Sequence, residues 1–150
     1  MLKIGDKAPD FTHLDQHGEK VSLSDYAGKK VLVWFFPKAN TPGCTAEGCD
    51  LRDHYDVLQS KDLEIIGISK DSVKKQKNFA TKYEFPYPML SDEEGSTINA
   101  FGCWGTKKFM GREFDGILRK SFLISKEGTI ERIYDKVKTK THGADVLADL

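Results

Sequence analysis

The sequence carries no net charge: 23 Lys and Arg are matched by 23 Asp and Glu. Without a basic field nothing gathers nucleic acid or an anionic membrane, so the composition favours a small or neutral partner over either. Long apolar runs are also missing. No stretch approaches the roughly 18 apolar residues that span a bilayer, and Met1-Leu2-Lys3-Ile4-Gly5-Asp6-Lys7 lacks the apolar centre of a signal peptide. The expected location is cytoplasmic. Cysteine is scarce: three residues are an odd count and too few for a disulfide framework, and in a reducing compartment such thiols are catalytic, metal-binding or simply buried. No repeat, low-complexity segment or linker interrupts the 150 residues. A folded domain of this size buries about 68–70% of its unfolded surface, so a core forms without staples and one domain over residues 1–150 is expected.

Val31-Leu32-Val33-Trp34-Phe35-Phe36 is a continuous apolar run after the turn signal Gly28-Lys29-Lys30, the pattern of a central strand covered on both faces. Thr41-Pro42-Gly43 ends it. From Cys44 to Leu58, Cys49, Leu51, Arg52, Tyr55 and Leu58 fall at mixed three- and four-residue spacings, which predicts a helix starting near Cys44. Leu63 to Ser69 reads as a second buried strand. Asp71 is placed to cap a polar helix over Ser72 to Tyr83, which Phe85-Pro86-Tyr87-Pro88 breaks. Ser91 or Asp92 is placed to cap a short helix through Asn99, followed by a loop holding Gly102, Gly105 and Gly111. Ser121 to Ser125, the Lys126-Glu127-Gly128 turn and Thr129 to Tyr134 form a hairpin signature, and Thr141 to Leu150 a short terminal helix. The βαβα alternation requires a mostly parallel sheet, to which the hairpin adds antiparallel strands. The expected fold is α/β and thioredoxin-like: a central mixed sheet flanked by helices, extended at the N-terminus by Asp10 to Tyr26.

The chemistry concentrates at Cys44, where the central strand turns into the helix. The free N–H groups and dipole of a helix N-terminus favour negative charge, and a thiol there ionises with a pKa of about 3.5–7.5 instead of roughly 8.5. Peroxide reduction needs such a thiolate, donors for the departing oxygen, and exclusion of competing reactions. Pro37 and Pro42 can wall a pocket without N–H groups of their own, and the Thr41 hydroxyl can bond both sulfur and a peroxide oxygen. Arg119, just before a predicted strand, is the candidate cation, because guanidinium keeps its charge and presents donors in a fixed fork. Glu47, one turn beyond Cys44 on the same helix face, can orient it. Each residue taken singly has a plainer reading: Arg119 a salt-bridged surface residue, Thr41 a turn residue, Glu47 a partner for the helix dipole.

Pro37-x-x-x-Thr41-x-x-Cys44 resembles the peroxidatic motif of the peroxiredoxins, and the extended segment Pro37 to Asp53, with Cys49 five residues on, resembles their bacterioferritin comigratory protein (Q-type) group. Phe101-Gly102-x-Trp104-Gly105 and Gly116-Ile117-x-Arg119-x-Ser121-Phe122-Leu123-Ile124 match further blocks of that group, so the similarity covers roughly Gly5 to Tyr134. The resemblance implies a thioredoxin fold and a thiol peroxidase. Cys44 would become a sulfenic acid, Cys49 would resolve it as a disulfide, and thioredoxin or a similar dithiol protein would regenerate the enzyme, with no metal or organic cofactor. It gives Pro37, Thr41, Glu47 and Arg119 the supporting roles argued above. Cys103 departs from the pattern and reads as an inert core thiol, an alternative resolving partner or a site of mixed-disulfide formation.

Spacing adds a mechanical expectation. Residues i and i+5 of an ideal helix lie about 8.7 Å apart at Cα and about 140° apart around the axis, whereas a disulfide needs Cα atoms within about 7 Å. Cys44 and Cys49 cannot join while the helix is intact, so its first turns are expected to unwind on oxidation, eased by Gly43 and Gly48. The same geometry prevents Cys44, Cys49 and His54 from converging on one metal ion. His13, His17 and His142 lie in polar stretches and read as solvated. The four-residue gap between the thiols disfavours a thioredoxin-like disulfide reductase or electron carrier, which uses Cys-x-x-Cys. Hydrogen peroxide and organic hydroperoxides are both candidate substrates, with Phe36, Trp104, Phe109 and Met110 as apolar walls. An in-chain resolving cysteine favours a monomer.

Overall fold

The structure, a computed structural model, describes residues 1–150. The chain runs through β1 (Thr12–Leu14), β2 (Lys20–Ser22), a 3-10 turn (Leu23–Tyr26), β3 (Lys30–Phe35), α1 (Pro42–Ser60), β4 (Leu63–Ser69), α2 (Val73–Lys82), β5 (Met89–Ser91), α3 (Ser96–Ala100), β6 (Trp104–Phe109), β7 (Arg112–Ile117), β8 (Lys120–Ile124), β9 (Ile130–Tyr134) and α4 (His142–Ala148). Seven strands form one mixed sheet in the order β2-β1-β5-β4-β3-β8-β9. Parallel pairing is confined to β3 with β4 and β4 with β5, where crossover helices return the chain in the same direction. The other pairings are antiparallel.

The apolar run of β3 divides the core. Val31, Val33 and Phe35 pack with Phe11, Ile98, Phe101, Phe122 and Ile130 on one side of the sheet. Leu32 and Trp34, with Phe36 just beyond the strand, pack with Leu51, Tyr55 and Leu58 of α1, Phe79 of α2 and Val146 of α4 on the other. A strand covered on both faces needs no polar alternation, and all six residues are buried. The N-terminal extension closes the far edge: the Gln16 amide donates to the Tyr87 carbonyl at 3.1 Å and accepts the Met89 N–H at 2.8 Å, as a neighbouring strand would.

Several boundaries differ from the sequence expectation for local reasons. α1 begins at Pro42, because proline has no N–H to lose and its φ suits the first helical position. α2 is capped by Ser72, whose hydroxyl accepts the Lys75 N–H, and not by Asp71. α3 starts after Gly95, with the Asp92 carboxylate reaching forward to accept the Ile98 N–H at 2.9 Å. The expected glycine-rich loop is instead a two-stranded ribbon of β6 and β7, turned through Met110 and Gly111, both at positive φ (51° and 79°). A methionine there costs strain, so the residues gave no hairpin signal.

Candidate active site

Pro42 and Gly43 start α1 and leave Cys44 on its buried face. Cys44, Glu47, Gly48, Leu51, Tyr55 and Leu58 recur at helical spacing and all face the core. The helical ladder opens with the Thr45 N–H donating to the Thr41 carbonyl at 2.9 Å, so the Gly43 and Cys44 N–H groups ahead of it have no helical partner. They are free donors beside the sulfur, at the positive end of the helix dipole.

Arg119 arrives from the turn between β7 and β8. Its guanidinium donates from Nη2 to Cys44 Sγ at 3.4 Å and from Nη1 to Glu47 Oε1 at 2.7 Å. The approach depends on a missing side chain: a Cβ on Gly43 would stand 3.1 Å from Arg119 Nη2. Although burial works against its charge, the sulfur and the Glu47 carboxylate hold Arg119 more firmly protonated than a free arginine. Glu47 is fully buried, and that burial pushes its carboxyl from 4.5 up to about 7 against the opposing pull of Arg119. Lys107, Lys120 and Lys136 share an open groove with Arg119, faced by Asp135 as the single acid. Lys107 donates to the Ile117 carbonyl at 2.8 Å, and burial followed by repulsion from Arg119 lowers its pKa. The positive surroundings stabilise negative charge that develops on an oxygen beside the sulfur.

The loop before α1 is held from two sides. The Thr41 hydroxyl donates to the Lys38 carbonyl at 2.7 Å, so its proton is committed there and not to sulfur, and its oxygen remains an acceptor. The Asp71 carboxylate accepts the Ala39 N–H and the Ser69 hydroxyl, each at 2.7 Å, tying the loop to the end of β4. Pro37 sits half-buried at the start of that loop. Asp71 is therefore a structural contributor that a reading of it as a helix cap misses.

The remaining thiols divide clearly. Cys49 lies half-buried on the same unbroken helix as Cys44, both are free, and burial raises the Cys49 thiol, with Arg52 opposing and Asp53 adding to the shift. Cys103 is fully buried on the opposite side of the sheet, where burial pushes its thiol up to about 12, the environment of an inert core residue. Of the expected apolar walls, Phe36 is a fully buried core residue, while Phe109 and Met110 project from the tip of the ribbon. Trp104 is partly exposed beneath the Lys70 ammonium. His17 is exposed as expected. His13 is half-buried and bonds Thr97 at 2.6 Å. His142 is fully buried, contrary to the solvated reading, because the first turn of α4 packs on α1. His54 donates from Nδ1 to the Asp50 carbonyl, one turn back on its own helix.

The model of the AhpC/TSA family matches residues 4–133. The chain is 48% identical over 146 residues to peroxiredoxin Bcp of Escherichia coli K12, covering 97% of this chain and 94% of that one. It is 45% identical over 149 residues to peroxiredoxin Bcp of Bacillus subtilis 168, covering 99% and 95%. Among solved structures it superposes on a variant of Xylella fastidiosa PrxQ with a TM-score of 0.93 at 28% identity, over 99% of this chain and 95% of that one. It also superposes on Xanthomonas campestris bacterioferritin comigratory protein, described in terms of alkyl peroxide reduction, with a TM-score of 0.89 at 33% identity over 99% and 95%. These relatives do not favour the disulfide-reductase alternative. A thiol at a helix start, clamped by an arginine, in a chain this similar to peroxiredoxins, leads to one conclusion: the chain belongs to the AhpC/TSA family and is a thiol-dependent peroxidase, acting on a peroxide and drawing electrons from a thioredoxin-type reductant.

Proposed function

We propose that Cys44 is the peroxidatic cysteine and Cys49 the resolving one. The carrying observation is the single guanidinium that spans Cys44 Sγ and Glu47 Oε1. The Cys44 thiolate attacks one peroxide oxygen, the S–O bond forms as the O–O bond breaks, and the departing alkoxide or hydroxide takes up a proton. Arg119 and the free N–H groups of Gly43 and Cys44 stabilise the charge that moves onto that oxygen. Pro37 and Thr41 shape the loop, and Glu47 aims the arginine. The Cys49 thiolate then attacks the sulfenic sulfur, the S–S bond forms as the S–O bond breaks, the departing hydroxide takes up a proton to leave as water, and a dithiol protein reduces the disulfide by exchange.

The substrates on this reading are hydrogen peroxide and organic hydroperoxides. The chain works as one domain and as a monomer, since the resolving thiol is its own. The location on this reading is cytoplasmic, supported by the reducing compartment that suits thiols which must return to the free form. No helix is long and apolar enough to cross a membrane, and the balanced charge suits a small substrate better than nucleic acid or an anionic membrane. Peroxide consumption by site variants tests the assignment. Cys44→Ser is expected to abolish it, and Cys49→Ser to allow one turnover and then stall as sulfenic acid. Sustained thioredoxin-linked turnover by Cys49→Ser would move resolution elsewhere.

A further inference from the structure

Glu47 uses one carboxylate oxygen and leaves the other idle. Oε1 accepts from Arg119, but Oε2 is buried with no hydrogen-bond partner. His142 Nε2 faces it at 3.9 Å and stands 2.8 Å from Ser121 Oγ. His142 cannot drift from this place. The Asp50 carboxylate accepts the N–H groups of Gly143 and Ala144 at 2.7 and 3.3 Å, fastening the start of α4 to α1. Gly143 fits so closely that a Cβ there would lie 2.5 Å from the Asp50 carbonyl oxygen. The ring is also braced edge-on against Tyr134, with centroids 5.2 Å apart.

We propose that His142 is a positioning residue for peroxide reduction: its Nε2–H, seated between Ser121 Oγ and Glu47 Oε2, keeps Glu47 a carboxylate, and Glu47 in turn keeps Arg119 aimed at the Cys44 sulfur. A buried carboxylate reverts to the neutral acid unless donors serve its oxygens, and Arg119 serves only one. Ionisation of Glu47 draws the second oxygen toward Nε2, and a small rotation closes the gap to hydrogen-bond range. The groups around the imidazole are Glu47 and Asp50 from α1, Arg119 from the β7–β8 turn, Tyr134 from β9 and Asp145 from α4. Burial dominates over them and pushes His142 down to about 4, with Asp145 and Asp50 opposing and Arg119 assisting. The ring is therefore neutral near pH 7, where it offers an N–H without a charge that would compete with Arg119 for the carboxylate.

The proposal rests on the peroxidase assignment and is tested by the second-order rate of Cys44 oxidation by hydrogen peroxide, followed by stopped-flow tryptophan fluorescence from about pH 5.5 to about pH 8.5. His142→Phe is expected to slow the reaction about tenfold at pH 7 and to move the acid limb of the profile up by about one unit. His142→Gln, whose amide still donates, is expected to recover most of the rate. In a Glu47→Gln background, where no carboxylate is left to hold, His142→Phe is expected to have no further effect. A His142→Phe profile that superimposes on that of the unmodified enzyme would overturn the proposal, as would an equal slowing in the Glu47→Gln background, which would mean that the effect runs through packing. If His142→Phe does not fold, His142→Asn, too short to reach Glu47, is judged by the same criteria. Failure of the unmodified enzyme to consume peroxide would instead sink the peroxidase assignment.

Discussion

One equivalent of hydrogen peroxide added to the reduced protein should melt the start of α1. The two thiols sit on one continuous helix, about 8.7 Å apart at Cα by helix geometry, and a disulfide tolerates no more than about 7 Å. Pro42 to Cys49 are the residues that must rearrange. With helices of 19, 10, 5 and 7 residues in the fold, their unwinding removes about a fifth of the α-helical content. The cost is moderated locally. Gly43 and Gly48 each weaken a helix by about 1 kcal/mol relative to Ala. Gly48 has a second reason to be glycine, since a Cβ there would lie 2.5 Å from Phe85 Cζ. What is lost includes the Tyr87 hydroxyl bond to the Gly48 carbonyl at 2.7 Å, a net contribution of about 1 kcal/mol. Far-UV circular dichroism should therefore lose about a fifth of its helical signal on oxidation, with amide exchange accelerating over residues 42–49. Trp34, fully buried in the same core cluster as Cys44, should change its fluorescence. Cys49→Ser treated identically should show none of the lasting loss of helix. An unchanged helix in protein whose Cys44–Cys49 disulfide is established by mass mapping would refute the reasoning.

Two further outcomes are expected. Cys103→Ala should keep full peroxidase turnover, and native protein should resist alkylation at Cys103 at pH 8, because the thiol is buried and pushed up to about 12; loss of turnover would give it a redox role. Stability should respond to pH through two opposing groups. Glu47 is raised from 4.5 to about 7, so its contribution is present below 4.5 and is lost as pH rises to 7. His142 is depressed from 6.5 to about 4, so its contribution is present above 6.5 and is lost as pH falls toward 4. Each amounts to a slope of about 1.4 kcal/mol per pH unit, and between about pH 4.5 and pH 6.5 they cancel. In urea melts, Glu47→Gln should become more stable with rising pH across that window and His142→Gln less stable; slopes of the same sign would contradict the two burial shifts.

Geometry that depends on near neighbours in the chain is legible in the sequence. Pro37, Thr41 and Cys44 owe their arrangement to one strand-to-helix corner, and Glu47 to one helical turn, so local spacing is enough to align them. The 140° offset that parts Cys44 from Cys49 is legible for the same reason. Arg119 is 72 residues from Glu47, and it was reached through resemblance and its position before a strand, not through any local rule.

Other features depend on which distant segments meet. Apolar periodicity says that a residue is buried without naming what buries it, so the attachment of β1 to β5 and the ribbon built through Met110 and Gly111 had no signal. His142 sits among polar residues and reads as solvated, yet the packing of Gly143 against Asp50 carries it into the core beside Glu47. Asp71 likewise leaves the helix it precedes and holds Ala39 instead. The order of residues was enough to place a thiol at a helix start. The protonation of Glu47 and the aim of Arg119 follow from how much water the assembled fold excludes, since the energy of a charge depends on every group around it in space and not on its neighbours in the chain.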